Sequence, residues 1–359
     1  MRQRTRHAAT RLTRRNPRAD HAPPIVIAHR GASGYVPEHT LASYAVAMLQ
    51  GADFVEPDLV VTKDGHLIAR HDNVVDLTTD VAQRPEFAER RTEKTVDGST
   101  ICGWFSEDFT LAEIKQLRAV ERIPNLRPGN ARLNGQFQVP TLQEIIDLVK
   151  ANERALGRKI GIYPETKHPT YFQRLGLALE GRLVKILHAN GYASKRDRVF
   201  IQSYEIGNLK KLRRLTRIPL IQLMETSGGP ADVVAAGGSL TYNEMATAEG
   251  LREIASYADG VGPEKYHFII PRDVEGALDP ANATDFVGHA HACGLKVHPY
   301  TFRAENYFQP TNLRSSGDLT THGNLAAEIE LFLTVGIDGF FTDQSDIGVG
   351  ARNHFLAKQ

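Results

Sequence analysis

Two histidines and three acidic residues of this sequence have the types and spacing needed to move protons and to hold a metal ion. His29 and His71 each follow an apolar run, and a histidine exchanges its proton near neutral pH because its ordinary pKa is about 6.5. Glu56 and Asp58 stand two residues apart in a predicted strand, so both side chains project to the same side. Glu165 ends another predicted strand and can complete a set of oxygen ligands, which suits Ca²⁺ or Mg²⁺ rather than zinc. These residues predict a divalent cation beside two acid-base histidines.

Two cationic residues adjoin the same groups. Arg30 follows His29, and Lys167 comes two residues after Glu165. The planar fork of an arginine matches phosphate oxygens, whereas a lysine acts as a compact point charge. Together these cations could neutralise an anionic substrate group, while His29 and His71 could divide general acid and general base roles in an order that the sequence leaves open. In the alternative reading, Arg30 and Lys167 serve only as counter-ions of the carboxylates.

The elements that position these residues alternate between short apolar strands and helical periods. Strands are predicted at 25–29, 53–60, 159–165, 198–203, 219–224, 260–264, 295–301 and 338–343. Helices are predicted at 40–50, 173–190, 205–216, 250–258, 281–293 and 321–335. This alternation predicts an α/β fold with a parallel sheet, and eight such strands favour a (β/α)8 TIM barrel over an open sheet.

The residues with chemical potential fall at the carboxyl ends of the predicted strands, where barrels of this kind place their active sites. They are His29, Glu56, Asp58, Glu165, Lys167, Gln202, Glu264, Tyr300 and Asp343. No helix is predicted directly after the strand at 53–60. Instead, the turn at 63–65 leads into a second strand of a hairpin, which would return His71 to the same mouth.

An insertion at 73–139 exceeds what a barrel needs and is predicted to form a small cap after the second strand region. It is turn-rich and charged, with one helical segment near 110–120, and its aromatic residues Trp104, Phe105 and Phe109 argue against disorder and predict a core for the cap. Because the insertion follows His71, we expect it to overhang the mouth and to select the substrate. A second segment, 226–239, is rich in glycine and is predicted to be a loop.

Charge and composition bound the remaining segments. Residues 1–22 carry seven arginines and one acidic residue, a net charge of +6, which leaves −5 for the remainder. They are predicted to form a disordered basic arm. The barrel is predicted at 23–350, and a C-terminal tail at 351–359. The mildly acidic body has no basic stripe for nucleic acid. No apolar run is long enough for a membrane span, no signal peptide is visible, and two cysteines are too few for a disulfide framework.

Several strings of the sequence, in this order and spacing, resemble those of the glycerophosphodiester phosphodiesterases over roughly 25–350. The strings are HRG at 29–31, PEHT at 37–40, EPD at 56–58, HD at 71–72, VPTLQEIIDL at 139–148, YPETK at 163–167, QSY at 202–204, VHPYTFRAEN at 297–306 and GIDGFFTDQSD at 336–346. The family commonly has PENT, EIK and SF where this chain has PEHT, ETK and QSY, and TDQSD lacks the usual proline. His39 in place of asparagine changes the hydrogen bonding expected at that turn.

This resemblance implies a metal-dependent enzyme that cleaves a small glycerophosphodiester into sn-glycerol 3-phosphate and an alcohol, by water or through a cyclic phosphate formed by the neighbouring glycerol hydroxyl. It implies His29 and His71 as catalytic residues and Glu56, Asp58 and Glu165 as ligands of Ca²⁺ or Mg²⁺. The residues expected to bind substrate are Arg30, Lys167, Glu38, Gln202 and Tyr300. Glu38 has the alternative of holding the loop after the first strand. The resemblance is closest to the envelope and periplasmic branch, which implies an envelope or secreted location.

Other functions remain open at this point. A phospholipase D-like relative acting on lysophospholipids shares the histidine and carboxylate plan and would need an apolar groove at the mouth. A metal-dependent aldolase or isomerase barrel also uses carboxylates at strand ends but has no need for the paired histidines. A barrel that binds glycerol phosphates without catalysis would be expected to have lost one of these groups, and none is lost here.

Deletion of residues 1–22 is expected to leave catalysis unchanged, because the motifs begin at His29 and the arm has no apolar periodicity with which to join a core. The measurement is kcat/KM of the truncated and full-length chains under the same conditions. A loss of more than about tenfold, equal to 1.4 kcal/mol, would show instead that the arm contributes to the site.

Overall fold

The structure is a computed structural model that describes residues 22–359, so the basic arm predicted at 1–22 lies outside the described residues except for Ala22. The strands are β1 Ile25–His29, β2 Phe54–Glu56, β3 Asp58–Val61, β4 Leu67–Ala69, β5 Thr92–Val96, β6 Ser99–Gly103, β7 Gly161–Ile162, β8 Glu165–Thr166, β9 Ile201–Ser203, β10 Leu220–Met224, β11 Gly260–Pro263, β12 Lys296–Val297 and β13 Gly339–Thr342.

The α-helices of the described residues are α1 Leu41–Leu49, α2 Leu111–Ile114, α3 Pro128–Ala131, α4 Leu142–Leu156, α5 Pro169–Arg174, α6 Leu179–Ala189, α7 Ile206–Leu215, α8 Ala231–Ala235, α9 Tyr242–Met245, α10 Ala248–Ile254, α11 Lys265–Phe268, α12 Phe286–Ala292, α13 Leu325–Val335 and α14 Ser345–Ala357. Short 3-10 helices occupy Val81–Gln83, Pro85–Arg90, Ser106–Asp108, Pro280–Asn282 and Thr311–Leu313. Over residues 22–359, none of the helices combines the length and the apolar character that crossing a bilayer requires.

The parallel strands form a ring. Strand β1 pairs with β13 on one side and with β2 on the other, β2 and β3 pair with β7 and β8, and the series continues from β8 to β12. Backbone hydrogen bonds from Asp338 N to Val297 O (2.9 Å) and from Phe302 N to Phe341 O (2.8 Å) join the last two strands. The predicted TIM-barrel fold is confirmed, with β2 and β3 together acting as its second strand and β7 and β8 as its third.

The interior of the ring is packed with side chains, as expected for a barrel of eight strands. One buried cluster draws its members from strands around the ring: Ile27, Phe54, Tyr163, Ile221 and Phe341. The hydroxyl of Tyr163 lies 2.8 Å from Nδ1 of His298, so the polar atoms of this layer are paired. This packed floor leaves the carboxyl ends of the strands as the open end of the barrel.

Helix α4 was missed in the sequence although its signals are present there. It runs for 15 residues before β7 and supplies the helix expected between the second and third barrel strands. The Thr141 side chain accepts a hydrogen bond from the Glu144 backbone, and the Glu144 carboxylate accepts one from the Thr141 backbone N–H, which is a capping box. The insertion separates this helix from the preceding strand by some 70 residues. The alternation of strands and helices was therefore not recognised there.

Other element bounds differ from the prediction. The helix predicted at 173–190 is two helices, α5 and α6, separated at 175–178, and the segment near 110–120 is helical only over the four residues of α2. The predicted loop at 226–239 contains α8. The C-terminal tail predicted at 351–359 is wrong as far as residue 357, because α14 continues through it, buries Ala351 and packs against α13.

The insertion forms the expected cap with a core of its own. Strands β5 and β6 pair as an antiparallel hairpin. The three aromatic residues predicted to pack inside the cap, Trp104, Phe105 and Phe109, are buried, and the Trp104 indole donates to the Phe87 carbonyl at 2.7 Å.

Candidate active site

The turn after β1 places an arginine amide over the carboxylates. Arg30 has φ +58° and Gly31 has φ +84°, so the chain reverses immediately after His29. A Cβ atom at Gly31 would lie 2.4 Å from Oγ of Ser43, which explains why this position of the His-Arg-Gly string needs glycine. The turn lets the Arg30 backbone N–H donate to Oε2 of Glu56 at 2.7 Å.

The three predicted metal ligands meet at the mouth of the barrel. One oxygen each of Glu56, Asp58 and Glu165 lies within 4.8 Å of the others, and all three residues are buried. Oδ1 of Asp58 is buried and accepts no hydrogen bond from the described residues. A converging set of oxygen donors with an unpaired buried oxygen fits a hard divalent cation.

The pKa values of the three acidic residues in this cluster are shifted in different directions. Burial, with Asp58 and Glu165 nearby, raises the pKa of Glu56 well above its ordinary value. Burial raises the pKa of Glu165 to about 8, with Lys167 opposing and Asp58 assisting the rise. Although burial also acts on Asp58, Lys167 and the hydrogen bond from His39 hold its pKa well below its ordinary value. A bound cation would neutralise the repulsion among the three groups.

Neighbouring side chains hold these carboxylates in place. Gln202 Nε2 donates to Oε1 of Glu56 at 3.2 Å. The fully buried His39 lies 2.9 Å from Oδ2 of Asp58 through Nε2 and 2.7 Å from the Tyr44 hydroxyl through Nδ1. The sequence had left the effect of His39 open, and the structure shows that this residue orients a predicted ligand.

Each of the two histidines is paired with an aspartate. Nδ1 of His29 lies 2.6 Å from Oδ1 of Asp343, which follows β13, and Nδ1 of His71 lies 2.9 Å from Oδ1 of Asp72. The Lys167 ammonium donates to Nε2 of His71 at 3.2 Å and to Oε1 of Glu165 at 2.7 Å. Because an ammonium only donates, Nε2 of His71 is the acceptor and its proton is on Nδ1, facing Asp72.

The pKa of each histidine lies below its ordinary value in the substrate-free site. Burial and the Arg30 charge lower the pKa of His29 to about 4 against the opposing effect of Asp343. Burial, Arg30 and Lys167 lower the pKa of His71 to about 3. An anionic group bound at Arg30 and Lys167 would offset the cations that depress both values.

The remaining predicted substrate-binding residues fall into two groups. Arg30 and Tyr300 line the main cavity, and the Tyr300 hydroxyl donates to the Met224 carbonyl at 2.8 Å. Glu38 is buried to one side, and its two carboxylate oxygens accept hydrogen bonds from Arg30 (3.1 Å) and Arg122 (2.8 and 3.0 Å). These contacts favour the alternative in which Glu38 holds the loop.

Three neighbouring cavities open at this end of the barrel, and the smallest, of about 240 Å³, is lined by both histidines, Arg122 and Arg127. The main one has a volume of about 410 Å³ and contains both histidines and the carboxylate cluster. The second, of about 540 Å³, adjoins it at Glu165, Tyr204 and Glu225, and is bordered by Asp97 and Ser99 of the cap hairpin. The cap therefore lies over the mouth, on the face predicted from the sequence.

Some contributions to the site were not recognised from the sequence. Asp343 and Asp72 had been noted in their motifs, but not as partners of the histidines. Arg122 and Arg127 lie in the insertion and reach these aspartates. A carboxylate next to a strand-end histidine is a readable signal, whereas nothing local distinguishes these arginines from the others of the insertion.

The protein is thus a parallel α/β barrel whose mouth holds a buried acidic cluster that could bind a divalent metal ion, beside two aspartate-paired histidines. The chain belongs to the glycerophosphoryl diester phosphodiesterase family, whose family model matches residues 29–347. The family and enzyme class predicted from the sequence are thereby confirmed. The envelope and periplasmic branch stays a prediction.

Relatives from distant organisms cover most of the chain. Glycerophosphodiester phosphodiesterase GDPD6 of Arabidopsis thaliana is 34% identical over 333 residues, covering 89% of this chain and 83% of the relative. Glycerophosphodiester phosphodiesterase of Haemophilus influenzae is 31% identical over 346 residues, covering 90% and 88%.

Solved structures agree with the fold. An Oleispira antarctica phosphodiesterase, in complex with the product sn-glycerol-3-phosphate, superposes with a TM-score of 0.58 at 20% identity and covers 92% of this chain and 97% of its own. Glycerophosphodiester phosphodiesterase of Agrobacterium tumefaciens gives a TM-score of 0.56 at 16% identity, covering 91% and 99%.

Proposed function

We propose that this protein hydrolyses glycerophosphodiesters to sn-glycerol 3-phosphate and an alcohol, with His29 and His71 as the general acid and base. The observation that carries the proposal is the presence, in one cavity, of both histidines beside the cluster of Glu56, Asp58 and Glu165. The Oleispira antarctica relative binds sn-glycerol-3-phosphate, the product that this reaction would release.

Glu56, Asp58 and Glu165 would hold a Ca²⁺ or Mg²⁺ ion. When bound, such a cation neutralises phosphate charge and orients the ester for attack. Arg30 and Lys167 add positive charge beside the same point, and Lys167 is placed to exchange its hydrogen bond with His71 for one with a phosphate oxygen. Gln202 and Tyr300 line the space around the ester, and Glu38 holds Arg30.

The proton transfers follow from the histidine pairs. One histidine removes the proton from the attacking oxygen, either of water or of the neighbouring glycerol hydroxyl, as a bond forms from that oxygen to phosphorus. The bond from phosphorus to the leaving oxygen breaks, and the other histidine supplies a proton to that oxygen. In the hydroxyl route, water then opens the cyclic phosphate. His29 and His71 would act on opposite sides of the phosphorus.

The direct test is release of sn-glycerol 3-phosphate from purified protein supplied with glycerophosphocholine, glycerophosphoethanolamine and glycerophosphoinositol in the presence of Ca²⁺ or Mg²⁺. Turnover of at least one of these diesters is expected. Release of choline from lysophosphatidylcholine without turnover of the water-soluble diesters would favour the phospholipase D-like alternative. Binding of glycerol 3-phosphate without any turnover would favour a non-catalytic barrel.

The cap hairpin is expected to exclude substrates that carry a long acyl chain on the glycerol. It brings Asp97 and Ser99 to the second cavity beside Glu165, where the exposed Glu225 and the ring of Tyr204 also lie. Replacing residues 92–103 by a short glycine-serine linker should weaken the preference for glycerophosphocholine over lysophosphatidylcholine by about tenfold, because shape and unpaired polar groups no longer oppose the acyl chain.

The readout for the hairpin is the ratio of kcat/KM for the two substrates. The matched control is Asp97→Asn, which keeps the hairpin and removes only its ion pair with His168. An unchanged ratio in the linker variant would show that the hairpin has no part in selection.

A further inference from the structure

We propose that Arg122 and Arg127, both supplied by the cap, are positioning residues that each hold the aspartate orienting one of the two histidines. The cap would then act on catalysis itself as well as on substrate choice. This inference rests on the proposed function, because it assigns a purpose to the geometry of His29 and His71.

Arg122 connects the cap to the His71 side of the site. Its Nη1 donates to Oδ2 of Asp72 at 2.8 Å, and the other oxygen of Asp72 faces Nδ1 of His71 at 2.9 Å. The same guanidinium donates to both oxygens of Glu38, which in turn accepts from Arg30 at 3.1 Å. One half-buried side chain therefore links the His71 pair to the arginine beside the carboxylate cluster.

Arg127 makes the equivalent connection on the His29 side. Its Nη2 donates to Oδ2 of Asp343 at 2.5 Å, and Oδ1 of Asp343 faces Nδ1 of His29 at 2.6 Å. Its Nε donates to Glu305 at 2.5 Å and its Nη1 to the Ser33 carbonyl at 2.9 Å. Arg127 is buried, so each of these bonds acts in a medium of low dielectric.

The two connections share one design. In each, an arginine from the same short segment occupies one oxygen of an aspartate, which leaves the other oxygen for the histidine. Each aspartate receives one guanidinium nitrogen, while the other nitrogens of the same arginine donate to Glu38 or to Glu305 and the Ser33 carbonyl and so fix the plane of the guanidinium. An aspartate fixed in this way keeps the histidine proton on Nδ1 and leaves Nε2 free to exchange a proton with substrate. Loss of the arginine would let the aspartate rotate, and the histidine would lose its alignment.

The two sides differ in redundancy. Oδ2 of Asp343 also accepts a hydrogen bond from Arg303 at 3.0 Å. Oδ2 of Asp72 has no side-chain donor other than Arg122 in the part of the chain that the structure describes. We therefore expect the loss of Arg122 to affect catalysis more than the loss of Arg127.

The experiment compares Arg122→Gln and Arg127→Gln with Arg84→Gln. Arg84 is a matched control because it lies in the same cap and donates to the carboxylate of Asp80 through two nitrogens. It lies away from the cavities at the mouth of the barrel. Arg122→Gln is expected to lower kcat on glycerophosphocholine about 10- to 100-fold with little change in KM, since misalignment of a catalytic group acts on the chemical step. Arg127→Gln should give a smaller loss, and Arg84→Gln none.

A second substrate separates alignment from general damage. Glycerophosphoryl p-nitrophenol has a leaving group that needs little protonation, so a variant that misaligns the general acid should recover most of its kcat on it. A variant that misaligns the general base should lose the same factor on both substrates. We expect one arginine variant to show the first pattern and the other to show the second. The variant that recovers on this substrate identifies the histidine on its side of the site as the general acid.

Non-additivity tests the route through the aspartate. If Arg122 acts through Asp72, the double variant Arg122→Gln/Asp72→Asn should be no more than about twofold worse than Asp72→Asn alone. Arg122→Lys, which keeps the charge but not the fork, should recover part of the loss. The thermal unfolding of each variant shows whether it folds. If Arg122→Gln fails to fold, Arg122→Lys takes its place in the comparison.

Three results would overturn the proposal: wild-type kcat in Arg122→Gln, a loss confined to KM, or fully additive losses in the double variant. Failure of the proposed function is distinguishable, because in that case the wild-type protein itself would release no sn-glycerol 3-phosphate from either substrate.

Discussion

Replacing His29 or His71 with alanine is expected to lower kcat about 10²- to 10⁴-fold, the usual effect of losing a general acid or base. Each imidazole lies at the mouth with Nδ1 on an aspartate, His29 buried and His71 partly exposed, so its proton transfer depends on that one ring. Substrate binding should survive, because Arg30 and Lys167 remain. The measurement is steady-state kinetics on glycerophosphocholine, with His289→Ala, on an exposed face of α12, as the control.

Turnover of substrates with different leaving groups distinguishes the general acid from the general base. The variant that lacks the general acid should fall furthest on substrates with a poor leaving group such as choline. Near-normal turnover of such a substrate by the His71→Ala variant would remove His71 from the acid-base pair. The same outcome for His29→Ala would remove His29.

Removal of divalent cations is expected to abolish activity, and added Ca²⁺ or Mg²⁺ to restore it. Without a cation, no bound ion neutralises the phosphate charge at the cluster of Glu56, Asp58 and Glu165, where burial, together with the neighbouring carboxylates, raises the pKa of Glu56 and of Glu165. Alanine at any of the three positions should reproduce the chelated state. The measurements are turnover after exhaustive chelation and calorimetric titration with Ca²⁺.

The titration separates loss of the ion from loss of the fold. Each alanine variant should retain the far-UV circular dichroism of the wild type while its heat of Ca²⁺ binding disappears. Full activity after exhaustive chelation, or undiminished Ca²⁺ binding by all three variants, would contradict the assignment of this cluster.

Much of the barrel could be predicted because its signals are local. A buried strand such as β10 is a short apolar run, and the residues that end each strand share one mouth by the geometry of the fold. The same reasoning brought Glu56 and Asp58 to one side of a strand and Glu165 beside them. Helix α4 carried a readable capping box at Thr141 and was missed only because the insertion separates it from the preceding strand.

The contacts that complete the site could not be predicted, because they join residues far apart in sequence. Nothing in the sequence indicates which residues His39 contacts. In the structure its ring lies between Asp58 and Tyr44. Arg122 lies 50 residues from Asp72, and Arg127 lies 216 residues from Asp343. Their partners depend on how the cap packs on the barrel, which no periodicity of the sequence encodes.

The pairing of His29 with Asp343 has a consequence for how this protein is made. The two residues are 314 positions apart: His29 ends the first strand of the ring, β1, and Asp343 directly follows the last, β13, which pairs with β1. Contacts of such separation form late and slowly, because the entropy of closing the intervening chain opposes them. During synthesis the His29 side of the site lacks its partner until residue 343 has left the ribosome. A nascent chain would hold the acidic cluster, all of which lies before residue 166, well before it could carry out proton transfer.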